Sequence, residues 1–159
     1  MKLLGIAMIV GCLGASAQQA TPPAPQVPPP AISSIQETND RYVKQITARI
    51  AGREKEPASS VFKNIQLANL KDDPAERFLA IMSFGYSKAL GVTCTHCHND
   101  ADFSSDEKRP KRAAREMAVM HRAINDQLSK MENIDLPTEK RFINCSTCHR
   151  GVINPRDAK

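Results

Sequence analysis

The sequence predicts an all-α domain in which a helix leads, through a short turn, into a recurring cysteine–histidine motif. Three segments carry apolar residues at helical spacing, and no stretch shows the apolar–polar alternation that is typical of a strand. The motif, Cys-x-x-Cys-His, occurs at residues 94–98 and again at 145–149. Aromatic residues make up only 4% of the chain and Trp is absent, so the amino acids alone would build a thin hydrophobic core.

The spacing within each motif is that of covalent c-type haem attachment. Two thiols reach the two vinyl groups on one edge of a porphyrin, and the imidazole that follows binds the iron from one face. We therefore expect two covalently bound haem c groups, which would form much of the core and leave the apoprotein poorly folded. The first motif supplies Cys94, Cys97 and His98, and the second supplies Cys145, Cys148 and His149.

Paired Cys-x-x-Cys sequences can also form a zinc site or a redox dithiol. Residues 98–144 separate the two cysteine pairs here, a gap of 47 residues, whereas a zinc ribbon has roughly 15–20. A thioredoxin-like dithiol is expected near a strand–helix–strand pattern, which the sequence lacks. Neither alternative accounts for the histidine that follows both motifs, so haem is the favoured interpretation.

The first 17 residues have the features of a bacterial export signal. Lys2 precedes an apolar run over residues 3–13 that is too short to span a bilayer, and Ala15-Ser16-Ala17 offers a cleavage site. Cys12 lies in a sequence similar to a lipobox, so lipid anchoring at Cys12 is the alternative to its removal with the signal. Export to the periplasm agrees with c-type haem, which bacteria attach outside the cytoplasm.

A proline-rich linker is predicted over residues 18–34, and it leads into a dihaem domain over residues 35–159. Six of the 11 prolines fall in this linker, which favours extended polyproline II. The formal charge of the chain is +5, but haem propionates would bring the holoprotein close to neutrality. We therefore expect no nucleic-acid partner.

The first helix is predicted over residues 38–51, as an element that only packs, and Gly52 can end it. Residues 53–71 are less regular, because Pro57 excludes a long helix. Their apolar side chains should enter the core or cover a haem edge. The apolar stripe of the first helix consists of Val43, Ile46 and Ile50.

The second helix has a clear predicted start and end. Asp73 can cap it, Pro74 suits the first helical position, and Gly91 ends it shortly before Cys94. Its apolar positions are Phe78, Leu79, Met82, Tyr86 and Leu90.

The third helix is predicted from about Lys111 to Met131, after a polar loop over residues 99–110. Segments 73–98 and 111–149 therefore share one plan of helix, turn and motif, which indicates an internal repeat with one haem per unit. The candidates for its solvated or propionate-facing side are Lys111, Arg112, Arg115 and Arg122.

Met82 is the favoured sixth ligand of the first haem iron, with His98 as the ligand on the other face. The helix rises about 12 Å from Met82 to Leu90, and the turn at Gly91 can bring the motif back along the helix. A haem could then lie beside the helix, between His98 and Met82. The alternative is a methionine that only packs in the core.

Three residues of the third helix compete for the second iron, opposite His149. Met117 is favoured, with Met120 and His121 as alternatives, since residues three and four apart share neighbouring helix surface. Alanines nearby keep that surface small. Arg150, directly after the second motif, is a candidate partner for a haem propionate.

Several stretches in this order resemble the photosynthetic reaction-centre cytochrome c subunit family over roughly residues 60–155. The resemblance implies paired helix–turn–motif units with a distal Met from the preceding helix, which supports Met82. It also implies that the first Met after the first haem serves the next haem, which supports Met117. Family members typically carry four haems, so this chain resembles half of one, and partnership with a photosynthetic reaction centre is not implied. The stretches are Phe62–Gln66, the Met82 helix, Gly91–His98, the Lys111–Asn125 helix and Cys145–Gly151.

The sequence thus predicts an exported dihaem electron carrier that is not an enzyme and that exchanges electrons with redox partner proteins. One alternative is a dihaem enzyme such as a peroxidase, with one open iron, for which Glu116 and His121 are the nearest polar groups. Another is a haem subunit of a membrane electron-transfer complex.

Overall fold

The computed structural model of the chain describes residues 32–158, and within this range the secondary structure is helical, without a strand. This agrees with the predicted all-α class. The export signal, Cys12 and residues 18–31 of the linker lie outside the described residues. The helices are α1 (Ile32–Arg49), α2 (Ala58–Val61), α3 (Ala75–Ala80, continued by a π-helix over Ile81–Lys88), α4 (Cys94–Cys97), α5 (Arg109–Ser129) and α6 (Cys145–His149), with short 3-10 turns at Thr138–Lys140 and Pro155–Asp157.

Helix α1 begins earlier than the apolar pattern predicts. It starts at Ile32 instead of residue 38, so residues 32–34 at the end of the predicted linker are helical. The physical reason is that Pro30 is the last proline of the linker, so residues 32–49 contain no proline that would remove a helical hydrogen bond. The predicted stop is confirmed, because α1 ends at Arg49 and Gly52 takes a left-handed φ of +83°.

The start of α3 is held by backbone pairing, not by the predicted Asp73 side-chain cap. Pro74 is the N-cap residue, and the cap makes no side-chain hydrogen bond. Instead, the amides of Ala75 and Glu76 donate to the carbonyls of Glu56 and Glu54, at 2.9 and 3.1 Å. These bonds satisfy helix-start donors that would otherwise need a side chain. The carboxylate of Asp73 pairs with Arg77 at 3.4 Å.

The second half of α3 is a π-helix, which the sequence pattern does not predict. Residues 81–88 adopt it, and they include Met82 and Tyr86. Wide π turns are rare and often lie at functional sites. Gly91, with a φ of +63°, then ends the element as predicted and turns the chain into the first motif.

The two helix–turn–motif units meet back to back at two glycines. The amide of Gly151 donates to the carbonyl of Ala89 at 2.9 Å, so the second residue after the second motif is hydrogen-bonded to the end of the helix that precedes the first motif. A Cβ atom added at Gly91 would lie 2.0 Å from the carbonyl oxygen of Gly151. Only glycine at position 91 therefore permits this contact.

The side-chain core of the described residues is as thin as the composition predicts. No large side chain among residues 32–158 is fully buried. Many apolar side chains line two cavities instead of packing against one another. The buried apolar residues in the described range are Ile50, Ala58, Ala75, Ala89 and Val92.

Candidate haem sites

The larger cavity, of about 200 Å³, brings Met82 together with Cys94, Cys97 and His98 of the first motif. Met82 comes from the π-helical part of α3, whereas Cys94, Cys97 and His98 come from α4 and its end. Helices α1 and α5 and the segment around Phe62 close the remaining walls. Apolar side chains from four parts of the chain face this space, among them Val43, Ile46, Phe62, Phe78, Leu79 and Leu90.

The imidazole of His98 is oriented by the loop that follows the motif. Its Nδ1 lies 2.8 Å from the carbonyl oxygen of Phe103, and its ring stacks on the Phe103 ring with centroids 4.9 Å apart. Because a carbonyl can only accept, Nδ1 carries the proton and Nε2 keeps the lone pair. Burial also lowers the pKa of His98, which favours the neutral imidazole that binds a metal.

Asn39 of α1 fixes the backbone at the start of the first motif. Its Nδ2 donates to the carbonyl of Val92 at 3.0 Å, and its Oδ1 accepts from the amide of Cys94 at 2.8 Å. The side chain is buried, with 7% of the residue exposed. Helix α1 therefore does more than pack. The sequence does contain a sign of this role, because Asn39 lies one helical turn before Val43 and so continues the apolar stripe Val43, Ile46 and Ile50 with a polar side chain.

The loop after the first motif is held by Lys111, which the sequence analysis placed on the solvated or propionate-facing side of its helix. Lys111 is buried, with 9% exposed, so its side chain is not solvated; it lines the larger cavity, and its propionate-facing placement stays a prediction. Its Nζ donates to the carbonyls of Phe103, Ser104 and Ser105, at 2.9, 2.9 and 2.8 Å. Several backbone acceptors converge where the loop folds over α5, and the long lysine side chain reaches all of them.

Asp106 joins this cluster as the only carboxylate that ion-pairs with Lys111 among the described residues. It lies 3.3 Å from Lys111 and 2.8 Å from Arg115. The guanidinium of Arg115 and the amide of Asn64 hold the pKa of Asp106 well below its usual range. Arg115 also lines the cavity, so the cluster borders the first site.

The smaller cavity, of about 70 Å³, brings the second motif together with all three candidate distal residues. Met117, Met120 and His121 of α5 line it. Met117 is 42% and Met120 is 47% exposed, whereas Met82 at the first site is only partly exposed. The motif contributes Cys145, Cys148 and His149.

The second motif repeats the histidine orientation and the asparagine contact of the first. Nδ1 of His149 lies 3.1 Å from the carbonyl of Val152, so Nε2 again keeps the lone pair. Asn125 of α5 accepts from the amide of Ile143 at 2.7 Å and donates to its carbonyl at 3.1 Å. Like Val92 in the first unit, Ile143 stands two residues before the first cysteine of its motif. Asn125 was not among the predicted site residues, because nothing in the local sequence marks its contact with a segment 18 residues away.

His121 is already engaged by the protein. Its Nε2 lies 2.8 Å from the carbonyl of Ile143, beside the amide of Asn125. Arg150, the candidate propionate partner, is exposed at the end of α6 with a φ of +48°, and it is not among the residues that line either cavity.

Two residues line both cavities and so form a wall between the sites, namely Tyr86 of the π-helix and Ala114 of α5. Burial raises the pKa of Tyr86 to about 12, so its phenol is neutral at physiological pH. The two sites are therefore neighbours that share these two side chains.

The residues present fit a c-type haem at each motif. All four motif cysteines carry free thiols, and burial raises the pKa of Cys94, Cys97 and Cys145, which keeps them protonated. Each motif borders an apolar cavity, and each histidine presents Nε2 as its lone-pair nitrogen. Within residues 32–158, no helix is both long and apolar enough to cross a membrane.

Comparison with known proteins points in the same direction. Residues 8–158 match the family model described as photosynthetic reaction centre cytochrome C subunit. Cytochrome c-554 of Chloroflexus aurantiacus is 39% identical over 69 residues, which cover 43% of this chain and 16% of that protein. The photosynthetic reaction center cytochrome c subunits of Rubrivivax gelatinosus and Roseobacter denitrificans are 36% and 31% identical. Those alignments cover 51% and 64% of this chain, but only 24% and 27% of the relatives. The chain thus spans about a quarter or less of the relatives it matches.

Proposed function

Since this chain belongs to the photosynthetic reaction centre cytochrome c subunit family, we propose that it is an exported dihaem c-type cytochrome that carries electrons between redox partner proteins. The match to the family confirms the resemblance in the sequence. The observation that carries the proposal is the duplication of the site. Each Cys-x-x-Cys-His motif borders its own cavity, has a histidine with Nδ1 hydrogen-bonded to a carbonyl, and faces at least one methionine of another element.

In this proposal the first haem is held by Cys94 and Cys97 and ligated by His98 and Met82. The haem supplies the one-electron cycle between Fe(II) and Fe(III), and the protein supplies ligands, an apolar surround and exclusion of water. The cavity that these four residues share supports the assignment. Methionine ligation favours the reduced iron and so suits an electron carrier.

The second haem would be held by Cys145 and Cys148 and ligated by His149 and Met117. Met117 and Met120 both line that cavity, and the family resemblance favours Met117. The contacts of His121 Nε2 with the carbonyl of Ile143 and the side-chain amide of Asn125, at 2.8 and 2.9 Å, support a methionine over His121, because ligation of iron through Nε2 would break both.

The shared wall supports electron transfer between the two haems inside one protein. Tyr86 and Ala114 line both cavities, so the two apolar spaces adjoin at these side chains. Two neighbouring haems can pass electrons to one another without a bound substrate. Redox partners, including a membrane electron-transfer complex, would meet this domain at the periplasmic surface, with Cys12 either removed or lipid-anchored.

A dihaem peroxidase is the second candidate, and one observation favours it. The wall of the second site is half open at Met117 and Met120, so an iron without a methionine ligand would be accessible to a small oxidant. Two of the three relatives are named as photosynthetic reaction center subunits, but the chain covers only 24% and 27% of them, so that partnership is not proposed.

Absorption and EPR spectra of the oxidised protein distinguish the carrier from the enzyme. We expect two low-spin ferric haems and the far-red absorption band of methionine-ligated iron, because both sites offer His and Met. A high-spin haem that binds cyanide readily would contradict the carrier and favour the enzyme.

A further inference from the structure

One backbone carbonyl contacts both the proposed iron ligand of the first site and a buried cation. The carbonyl oxygen of Phe103 accepts from His98 Nδ1 at 2.8 Å and from Lys111 Nζ at 2.9 Å. A carbonyl has two lone pairs, so both bonds can form at once. Lys111 is thus linked to His98 through a single oxygen atom, without touching the imidazole itself.

This arrangement has a predictable electronic effect. A hydrogen bond from Nδ1 to a strong acceptor makes an imidazole more basic, and a more basic ligand stabilises ferric iron. An ammonium group on the same oxygen withdraws electron density from it, so the carbonyl becomes a weaker acceptor for Nδ1–H. The histidine is then a weaker donor, and the ferrous state gains relative to the ferric state.

Direct electrostatics act in the same direction. Lys111 and Arg115 are two cations that share the one carboxylate of Asp106, so the cluster carries a net charge of +1. A positive charge in a buried setting favours the state with the additional electron, because little solvent screens it. Consistent with this, Lys111, Arg115 and Lys108 all act to lower the pKa of His98, after the larger effect of burial.

Within the described residues, the second site has no cation that donates to the carbonyl bonded to its histidine. The carbonyl of Val152 accepts from His149 Nδ1 at 3.1 Å, and no described lysine or arginine donates to that carbonyl. The two motifs therefore share the histidine–carbonyl contact and differ in the cation behind it. This contrast separates the role of Lys111 from the general architecture of the motif.

From this contrast, and resting on the proposed dihaem function, we infer that Lys111 is a positioning residue that makes the first haem the higher-potential one of the pair. It acts through the Phe103 carbonyl on His98 and is not an iron ligand. Electrons that enter at the second site would then pass downhill to the first. Lys111 also explains why the loop over residues 103–106 is held so closely to α5.

The test is a spectroelectrochemical titration of the holoprotein with Lys111→Met, which keeps the length of the side chain and removes its charge. At a fixed applied potential, we expect the Fe(II)/Fe(III) ratio of the higher-potential haem to fall about tenfold, which is about 59 mV for one electron. The other haem should not move. Lys44→Met, which removes one exposed charge on α1, is the matched control and should move neither haem. Met82→Ala identifies which wave belongs to the first site.

Asp106→Asn tests the same inference, because it should shift the reduction potential of the first haem in the direction opposite to Lys111→Met. Removing the carboxylate leaves both cations uncompensated, so the Fe(II)/Fe(III) ratio of the first haem should rise at the same applied potential. If Lys111→Met disrupts the loop and abolishes the low-spin signal, Asp106→Asn decides whether the charge of this cluster sets the potential of the first haem. A rise supports the inference, and an unchanged ratio overturns it.

The outcomes separate this inference from the proposed function. A wild-type protein without two one-electron waves would overturn the proposed function and this inference together. If the wild type shows two waves and Lys111→Met shifts neither of them, or shifts both equally, the inference is overturned and the proposed function stands. Lys111→Arg keeps the charge and should stay close to wild type, and a tenfold fall in that variant would also contradict the electrostatic account.

Discussion

Replacing Met82 by alanine is expected to open one haem iron and to lower its reduction potential by on the order of 100 mV, while the other haem stays low-spin. Met82 is the one methionine that lines the larger cavity in the described part of the chain. No other described side chain at that cavity offers a thioether. The iron would therefore bind water or remain five-coordinate, and part of the far-red absorption would disappear.

Met131→Ala is the matched control for this variant. Met131 follows the end of α5, is 38% exposed, and is not among the residues that line either cavity. The same deletion of a thioether there should leave both the spectrum and the titration unchanged. An unchanged spectrum in Met82→Ala itself would remove Met82 from the ligand set and would leave the first site without a proposed distal ligand.

Gly91→Ala is expected to destabilise the protein more than alanine at any other glycine of the described residues, by about 3 kcal/mol or more. The new Cβ atom would lie 2.0 Å from the carbonyl oxygen of Gly151, and the residue takes a left-handed φ of +63°. The strain of that conformation costs about 1 kcal/mol, and overpacking adds about 1–3 kcal/mol or more. Relief of the clash would have to separate the two helix–turn–motif units.

Gly52→Ala provides the matched comparison, because it separates the clash from the backbone strain. Gly52 has a φ of +83°, but an added Cβ would meet nothing within 4 Å. Denaturant unfolding of the two holoproteins should therefore show a loss of about 1 kcal/mol for Gly52→Ala and a much greater loss for Gly91→Ala. Equal losses would contradict the close contact between the two units.

Much of the first site can be predicted from the sequence, because its parts lie on one short segment. The apolar period of residues 75–90, the stop at Gly91 and the spacing to Cys94 place Met82 and the motif at one cavity, as the structure does. The second site depends on the long connection from α5 to residue 145. The sequence left three candidates there, and all three line the cavity.

The features that the sequence did not predict depend on contacts between distant segments. A π-helix has no distinct apolar period over eight residues, so residues 81–88 read as an ordinary helix. Asn39 acts on a motif 55 residues away. Lys111 looks like any basic residue of an exposed face until the loop over residues 103–106 folds onto it. Local periodicity carries none of this information.

The central claim is that this chain carries two covalent haems, one at each Cys-x-x-Cys-His motif. The most direct measurement is the intact mass of the purified protein, produced in a host that attaches c-type haem, followed by mass analysis of its proteolytic peptides. We predict the mature polypeptide plus two haem groups, with one haem on the peptide containing residues 94–98 and one on the peptide containing 145–149. A mass with one haem or none, or a peptide with free thiols at either motif, would contradict the account.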